Sequence, residues 1–401
     1  MNSPAWYALL LILFIISLAT RYELLFFFAL LMALASLASK LWMRYCLSGV
    51  TYSRKLGNTH INYGEETELI IDVVNAKPLP LAWLQVLDMF PSDVTMVTRL
   101  AEEGPLRVLV NLMALSWYER VQRKYRIRGD KRGEFAFGPA DVISGDIFGF
   151  YWRSKSEPKI DKLIVYPKVV PVGKLGFLPA WPLTEQKTNQ RLLEDPLRMA
   201  TVREYAPGDS FRHIHWRASA RLGKLQTKVF DPGATQVLML FTDVQTTPNP
   251  YGMEPDYLEL VITATASIAL HALASKQGVG LYTNGGIGSS SKVARVAASR
   301  HPAQGAALLE ILARLDPFRQ MPIGTLLYRE MATLPFGATV VVITALPGPE
   351  VYRALLTIRD MGHPVALLTV GEKPVPPQGN LTIHHLGGRD AWQRLAKIEL
   401  A

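Results

Sequence analysis

The chain has 401 residues, 49% of them apolar, which is long enough for two or three domains with real cores. Its 43 Lys and Arg against 34 Asp and Glu give a formal charge of +9. A single cysteine, Cys46, excludes an internal disulfide and a cysteine metal cluster. No G-x-x-x-x-G-K-[S/T] or G-x-G-x-x-G run occurs, so no nucleotide site is expected. The basic balance suits anionic lipid headgroups or an acidic protein partner rather than nucleic acid.

The chain opens with two apolar runs, Pro4 to Ala19 and Leu24 to Leu41, joined by Thr20-Arg21-Tyr22-Glu23. At about 1.5 Å per residue each run approaches the thickness of a bilayer core. So short a connector predicts an antiparallel hairpin over residues 1–45. Trp6, Tyr7, Tyr22 and Trp42 stand where interfacial aromatics belong. Lys40 stands near the end of the second run and Arg44, Arg54 and Lys55 beyond it, with no acid before Glu65. The positive-inside rule then predicts an inner-membrane protein with two helices and cytoplasmic soluble domains. Ser17-Leu18-Ala19 resembles a signal-peptide cleavage site, but no Lys or Arg precedes Arg21.

Residues 46–171 read as a small antiparallel β-sandwich. Strands are expected over Glu68–Val74, Leu81–Met89, Arg107–Ala114, Arg120–Ile127 and Leu163–Tyr166, separated by turn residues. The Arg120–Arg132 stretch holds Arg120, Arg123, Lys124, Arg126, Arg128, Lys131 and Arg132. It reads either as a solvated strand face or as a surface for headgroups or an acidic partner.

Residues 172–232 read as a connecting segment that carries the densest chemistry of the chain. Val202 to Lys224 brings together Arg203, Glu204, Tyr205, Gly208, Asp209, Arg212, His213, His215, Trp216, Arg217 and Arg221. Pro207-Gly208-Asp209 is a turn. Asp209 or Ser210 is expected to open a helix through Ala220 that ends at Gly223. On such a helix Arg212, His215 and Ser219 share a face. Three readings stay open: an Arg/acid strut between domains, a docking surface anchored by arginine and Trp216, and a hydrolase using His215 and Ser219 with Asp209 or Glu204. Ser219 lies in no G-x-S-x-G elbow. No further ligand cluster accompanies the two histidines, so neither a metal nor any other cofactor is expected.

Residues 233–401 alternate strands and helices. Strands are expected at Thr235–Asp243, Val279–Thr283, Thr339–Ile343 and Pro364–Val370. Helices are expected at Asp256–Lys276, Pro302–Leu315 and Glu350–Met361. This predicts an open, mostly parallel sheet with helices on both faces. Asn284-Gly285-Gly286-Ile287-Gly288 reads as a tight loop.

The run R-E-Y-x-P-G-D-x-x-R-x-I-H-W-x-A-S-A-R at Arg203–Arg221 resembles the signature of the bacterial and archaeal "domain of unknown function 58" family. The amino-terminal hairpin, G-E-x-x-x-L at Gly64–Leu69, R-G-x-F-x-x-G-P at Arg132–Pro139 and V-Y-P at Val165–Pro167 extend the resemblance along the chain. It implies a carboxyl-terminal von Willebrand factor A-like domain. It also implies an accessory role beside a MoxR-type AAA+ ATPase, with a membrane transglutaminase-like protein as a second associated partner, and it supplies no activity. In that fold a divalent cation commonly sits on a D-x-S-x-S loop. Here the loop reads Asp243-Val-Gln245-Thr-Thr247, with Thr325 as a candidate second-loop threonine. The third loop, Thr344-Ala-Leu-Pro347, has no aspartate. Oxygen ligands for a hard cation are short, so weak or no Mg²⁺ binding is expected.

Overall fold

In a computed structural model of the chain, the described residues are 11–17, 19, 23–98, 102–103, 108–147, 151–175, 199–206, 214–230, 237–288, 292–376 and 381–400. They form two compact units, Met1–Lys168 and Val169–Ala401.

The first unit begins with helical residues 11–17 and helix α1, Glu23–Tyr45. The ring of Phe14 lies 5.5 Å from that of Phe26. The rest of the first apolar run (residues 4–10 and 18) and most of the connector lie outside the described residues. Helix α1 is long and apolar enough to cross a membrane and leaves Leu24, Phe27, Phe28, Leu31, Leu34, Leu37 and Leu41 exposed.

Among the described residues twelve strands follow: β1 Val50–Leu56, β2 His60–Ile61, β3 Glu66–Asn75, β4 Leu81–Met89, β5 Val94–Met96, β6 Glu102–Glu103, β7 Val108–Leu115, β8 Arg120–Gly129, β9 Gly133–Phe137, β10 Ala140–Gly145, β11 Trp152–Glu157 and β12 Asp161–Val165. They form sheets ordered β1-β3-β8-β5, β11-β10-β4-β7-β6 and β2-β12-β9. Leu69, Ile71 and Val73 of β3, Leu84 and Val86 of β4 and Leu163 and Val165 of β12 share one core. Strand β3 shows why: its residues alternate buried and less buried along the strand, as a half-covered sheet requires.

Two charged features of this unit stand out. Arg54 is 2% exposed, and its guanidinium pairs with buried Asp88. It also donates to Asp161 at 3.0 Å and to the carbonyls of Phe137 and Lys159 at 2.6 and 2.9 Å. The basic stretch is matched across the sheet. Arg120 holds Asp72 through two bonds of 2.7 Å, and Lys124 and Arg126 face Glu68 and Glu66 at 3.9 Å. Arg128 pairs with Asp130 and Lys131 with Asp93, each at 2.8 Å, while Arg123 donates to Asn111. Most of these charges thus have an acidic neighbour, on the adjoining strand or the nearby turns.

The second unit has β13 Val172–Leu175, β14 Met199–Glu204, helix α2 Trp216–Leu222, β15 Gln226–Phe230, β16 Val237–Thr242, α3 Pro255–Ala274, β17 Gly278–Thr283, β18 Gly285–Ile287, β19 Arg295–Ser299, α4 Gln304–Ala313, β20 Leu315–Arg319, α5 Ile323–Glu330, β21 Thr339–Thr344, α6 Pro349–Asp360, β22 Val365–Val370, β23 Thr382–Gly387, α7 Ala391–Arg394 and β24 Ile398–Leu400. Its main sheet runs β19-β17-β16-β21-β22-β23. All neighbours are parallel except edge strand β19, which is antiparallel to β17. Leu238 and Leu240 of β16 face one apolar layer with Leu260, Val261 and Ile268 of α3. Met239 and Phe241 face the other, with Leu326 of α5 and Leu355 of α6. Both faces are covered, which explains the continuous apolar runs of these strands. Helix α3 also meets the length and composition of a membrane span. Its apolar surface is accounted for by the sheet it buries.

Several expectations are corrected. Gly285–Ile287 pairs with β20 as a short antiparallel ladder rather than forming a loop. Strands β19 and β23 and helix α5 were not apparent from periodicity. Residues 199–204 and 226–230, read as connecting segment, are paired strands.

Candidate functional site

The signature is built on that strand pair. Glu204 stands opposite Gln226, Arg203 opposite Thr227 and Val202 opposite Lys228. Tyr205 N–H donates to Leu225 O at 2.9 Å. Strand β14 ends at Glu204, and beyond residue 206 the chain is described again from Ile214, which is 2% exposed and bridges Thr227. Gly208, Asp209 and Arg212, with Pro207, Ser210, Phe211 and His213, lie outside the described residues.

Helix α2 is shorter than expected. It begins at Trp216, and His215 is its N-cap rather than a face residue: Nδ1 accepts from the Ala218 N–H at 3.1 Å. The imidazole thereby satisfies one of the first-turn amides that a helix leaves unpaired. Gly223 closes the helix at φ 67°, the left-handed conformation that glycine adopts without a Cβ penalty. Ser219 donates to His215 O at 3.1 Å and accepts from Gln226 N–H at 2.8 Å. Hydroxyl and imidazole are each engaged by backbone, and not by one another. Glu204 faces Lys224 at 3.3 Å. The described residues of the signature therefore offer no nucleophile–base pair.

What the clasp presents outward is different in kind. Trp216 is 67% and Leu222 64% exposed, with Leu225 at 43%. Arg217 and Arg221 are exposed beside them and have no ion-pair partner among the described residues. Arg203 is exposed too and donates to Glu204 O at 3.2 Å.

A second constellation lies at the carboxyl ends of β16, β17 and β21. Successive connections leave β16 for opposite sides here, and this is where open α/β sheets form their ligand crevice. Asp243 is fully buried. Its Oδ1 accepts from Asn284 Nδ2 at 2.7 Å and from Gln245 N–H at 3.0 Å, and its Oδ2 accepts from Thr344 Oγ1 at 2.7 Å. Asn284 Oδ1 in turn accepts from Val244 N–H at 2.9 Å. Gln245 Nε2 donates to Thr247 O at 2.9 Å, and Gln245 Oε1 accepts from Arg319 at 2.7 Å. Burial pushes the Asp243 carboxyl above its usual range, opposed by these hydrogen bonds and by the Arg319 charge.

This donor set does not fit a divalent cation. Both Asp243 oxygens already accept from protein donors, Asn284 turns its NH₂ group inward, and Gln245 gives its oxygen to a guanidinium. Thr325 lies exposed on α5, and Thr247 contributes its carbonyl to Gln245 and its hydroxyl to Asn249 O at 2.9 Å. Asn284, Thr344 and Arg319 are the residues that sequence reasoning missed. Only their positions immediately after β17, at the end of β21 and at the end of β20 distinguish them.

Residues 201–385 match the family described as "Protein of unknown function DUF58". Over this stretch the chain is similar to the DUF58 family. The match begins within β14 and ends within β23, so it takes in the clasp, the switch point and the parallel sheet. The chain is 26% identical over 254 residues to "Uncharacterized protein YeaD" of Bacillus subtilis, an alignment covering 60% of this chain and 57% of that protein. The chain thus spans little more than half the length of that relative. Among solved structures, a cohesin module from Clostridium perfringens is 12% identical and covers 29% of this chain and 96% of its own, with a TM-score of 0.21. The native α2-macroglobulin of Escherichia coli is 17% identical and covers 31% of this chain and 8% of its own, with a TM-score of 0.23. At these scores neither likeness bears on the fold or function of the DUF58 segment.

Proposed function

We propose that this chain is an inner-membrane-anchored accessory protein whose second unit docks a protein partner through the outer face of its signature clasp. The observation that carries this reading is the exposure of Trp216, Leu222 and Leu225 beside Arg217 and Arg221, while the buried residues of the same motif hold the backbone. Tryptophan and arginine are the residue types enriched in interface hot spots, and the two leucines extend the apolar surface around Trp216. Helix α1 would supply the anchor, and the basic residues at and beyond its end, Lys40, Arg44, Arg54 and Lys55, support a cytoplasmic side for the soluble units. The strand order of the main sheet, with its antiparallel edge, is consistent with a von Willebrand factor A-like domain. The partner implied by the family resemblance is a MoxR-type AAA+ ATPase, in assembly or maturation of envelope or protein complexes.

Crosslinked affinity purification from native membranes tests this, with wild type beside a Trp216→Ala/Arg221→Ala double variant. Enrichment of a MoxR-type ATPase by wild type, and its loss with a variant of unchanged thermal stability, is the expected result. Equal enrichment by both chains would return the signature to a purely structural role.

A further inference from the structure

The switch point holds a built-in cation. Arg319 is half-buried at the end of β20. One corner of its guanidinium is fixed by the 2.7 Å bond to Gln245 Oε1, and Gln245 is itself fixed by Thr247 O. The remaining guanidinium N–H groups have no partner among the described residues, and no ion pair joins Arg319 to Asp316 of the same strand. Asp243 accepts from three protein donors and feels the Arg319 charge without an ion pair to it, and Glu254 pairs with Arg389 at 2.9 Å. Helices α3, α5 and α6 begin at this edge of the sheet with no side-chain cap, so their positive ends add to the same field. Exposed Phe318, Tyr251 and Met253 lie on the strand and loop that carry Arg319 and Gln245.

We infer that Arg319 replaces a bound metal as the ligand-binding cation of this crevice and takes a carboxylate of the docking partner directly, with no metal bridge. A guanidinium held at one corner presents its other donors in the planar fork that matches a carboxylate. Asn284 and Thr344 support this arrangement, because they hydrogen-bond the Asp243 oxygens that a cation would otherwise take. The inference rests on the docking reading above and adds to it a second contact, outside the clasp.

The test uses the full chain in phosphatidylcholine nanodiscs and acetate as the probe. Modification of each arginine by phenylglyoxal is followed by peptide mass spectrometry, with acetate exchanged for chloride at constant ionic strength. Modification of Arg319 is expected to slow about threefold or more once acetate exceeds its dissociation constant, while exposed Arg353 keeps its rate and added Mn²⁺ changes nothing. Protection no greater than that of Arg353, or protection that requires Mn²⁺, would overturn the inference. The crosslinked purification separates its failure from that of docking. Partner capture lost with both Arg319→Leu and Arg319→Lys supports a forked contact. Capture kept by Arg319→Leu sinks the Arg319 assignment and leaves docking intact. Where wild type captures no ATPase the docking reading falls, and acetate protection alone decides whether Arg319 is a carboxylate site.

Discussion

The side-chain amide nitrogen of Asn284 stands 2.7 Å from Oδ1 of Asp243, inside a sheet edge where that carboxylate has no access to water. A neutral amide thus does part of what a cation would do, and the same residue accepts from Val244 N–H through its other atom. Asn284→Ala leaves a buried carboxylate oxygen and a buried backbone amide without partners. It is expected to cost about 2–4 kcal/mol, read as a lower urea midpoint. Asn284→Asp instead sets a second carboxylate beside Asp243. Its melting temperature is expected to fall and to recover with Mn²⁺, whereas wild type shows no response to the ion. A wild-type melting temperature that rises with Mn²⁺ would contradict the donor geometry.

In the first unit the Arg54 guanidinium and Asp88 are each 2% exposed by side chain. Tyr52 donates to the same carboxylate at 2.6 Å, and burial with the Asp88 charge pushes its phenol above the usual range, keeping it a donor. Arg54→Ala strands Asp88 in the core and is expected to destabilise the unit by about 3–5 kcal/mol. Arg54→Met combined with Asp88→Leu is expected to regain most of that loss. Gly138 completes this site: at φ +93°, a Cβ there would fall 2.6 Å from both Arg54 Nη2 and Lys159 O. Gly138→Ala is therefore expected to be as damaging as Arg54→Ala. A double variant no better than Arg54→Ala in chemical denaturation would contradict this account.

The clasp makes a contrasting pair of predictions. Gly223→Ala forces a left-handed residue with a Cβ into open space, and is expected to cost about 1 kcal/mol without a clash. Trp216→Ala removes an exposed ring and is expected to leave the melting temperature unchanged while weakening partner capture. Parallel melting curves and capture assays check both.

Acid sensitivity of the second unit is expected from His384. Burial holds its imidazole below the ordinary value of 6.5. The unfolded chain then binds the proton first as pH falls, so stability present above about pH 6.5 is progressively lost below it. His384→Phe is expected to flatten the fall in urea midpoint between about pH 7.5 and 5.5. An unchanged slope would show that other groups set the acid limb.

Local sequence determined a good deal of this protein. The apolar runs of β16, β21 and β22 and the broad apolar face of α3 are written in consecutive residues, because a strand covered on both faces and a helix against a sheet each impose a short period. Gly223 as a helix end is legible for the same reason, since a left-handed residue needs only its own backbone. Strands β14 and β15 were not legible. Their side chains alternate weakly, and their pairing brings Glu204 to Gln226 across 21 intervening residues that local propensity cannot weigh. His215 looked like a face residue until the strand pair fixed where the helix begins and made it a cap. The switch point was decided furthest from the sequence. Asp243, Asn284, Arg319 and Thr344 lie on four separate segments, and only the order of the parallel strands brings their side chains to one edge. The D-x-S-x-S departure at Asp243 indicated that a metal site was incomplete. What completes it, an amide, a hydroxyl and a guanidinium, depends on distances that only the folded sheet sets.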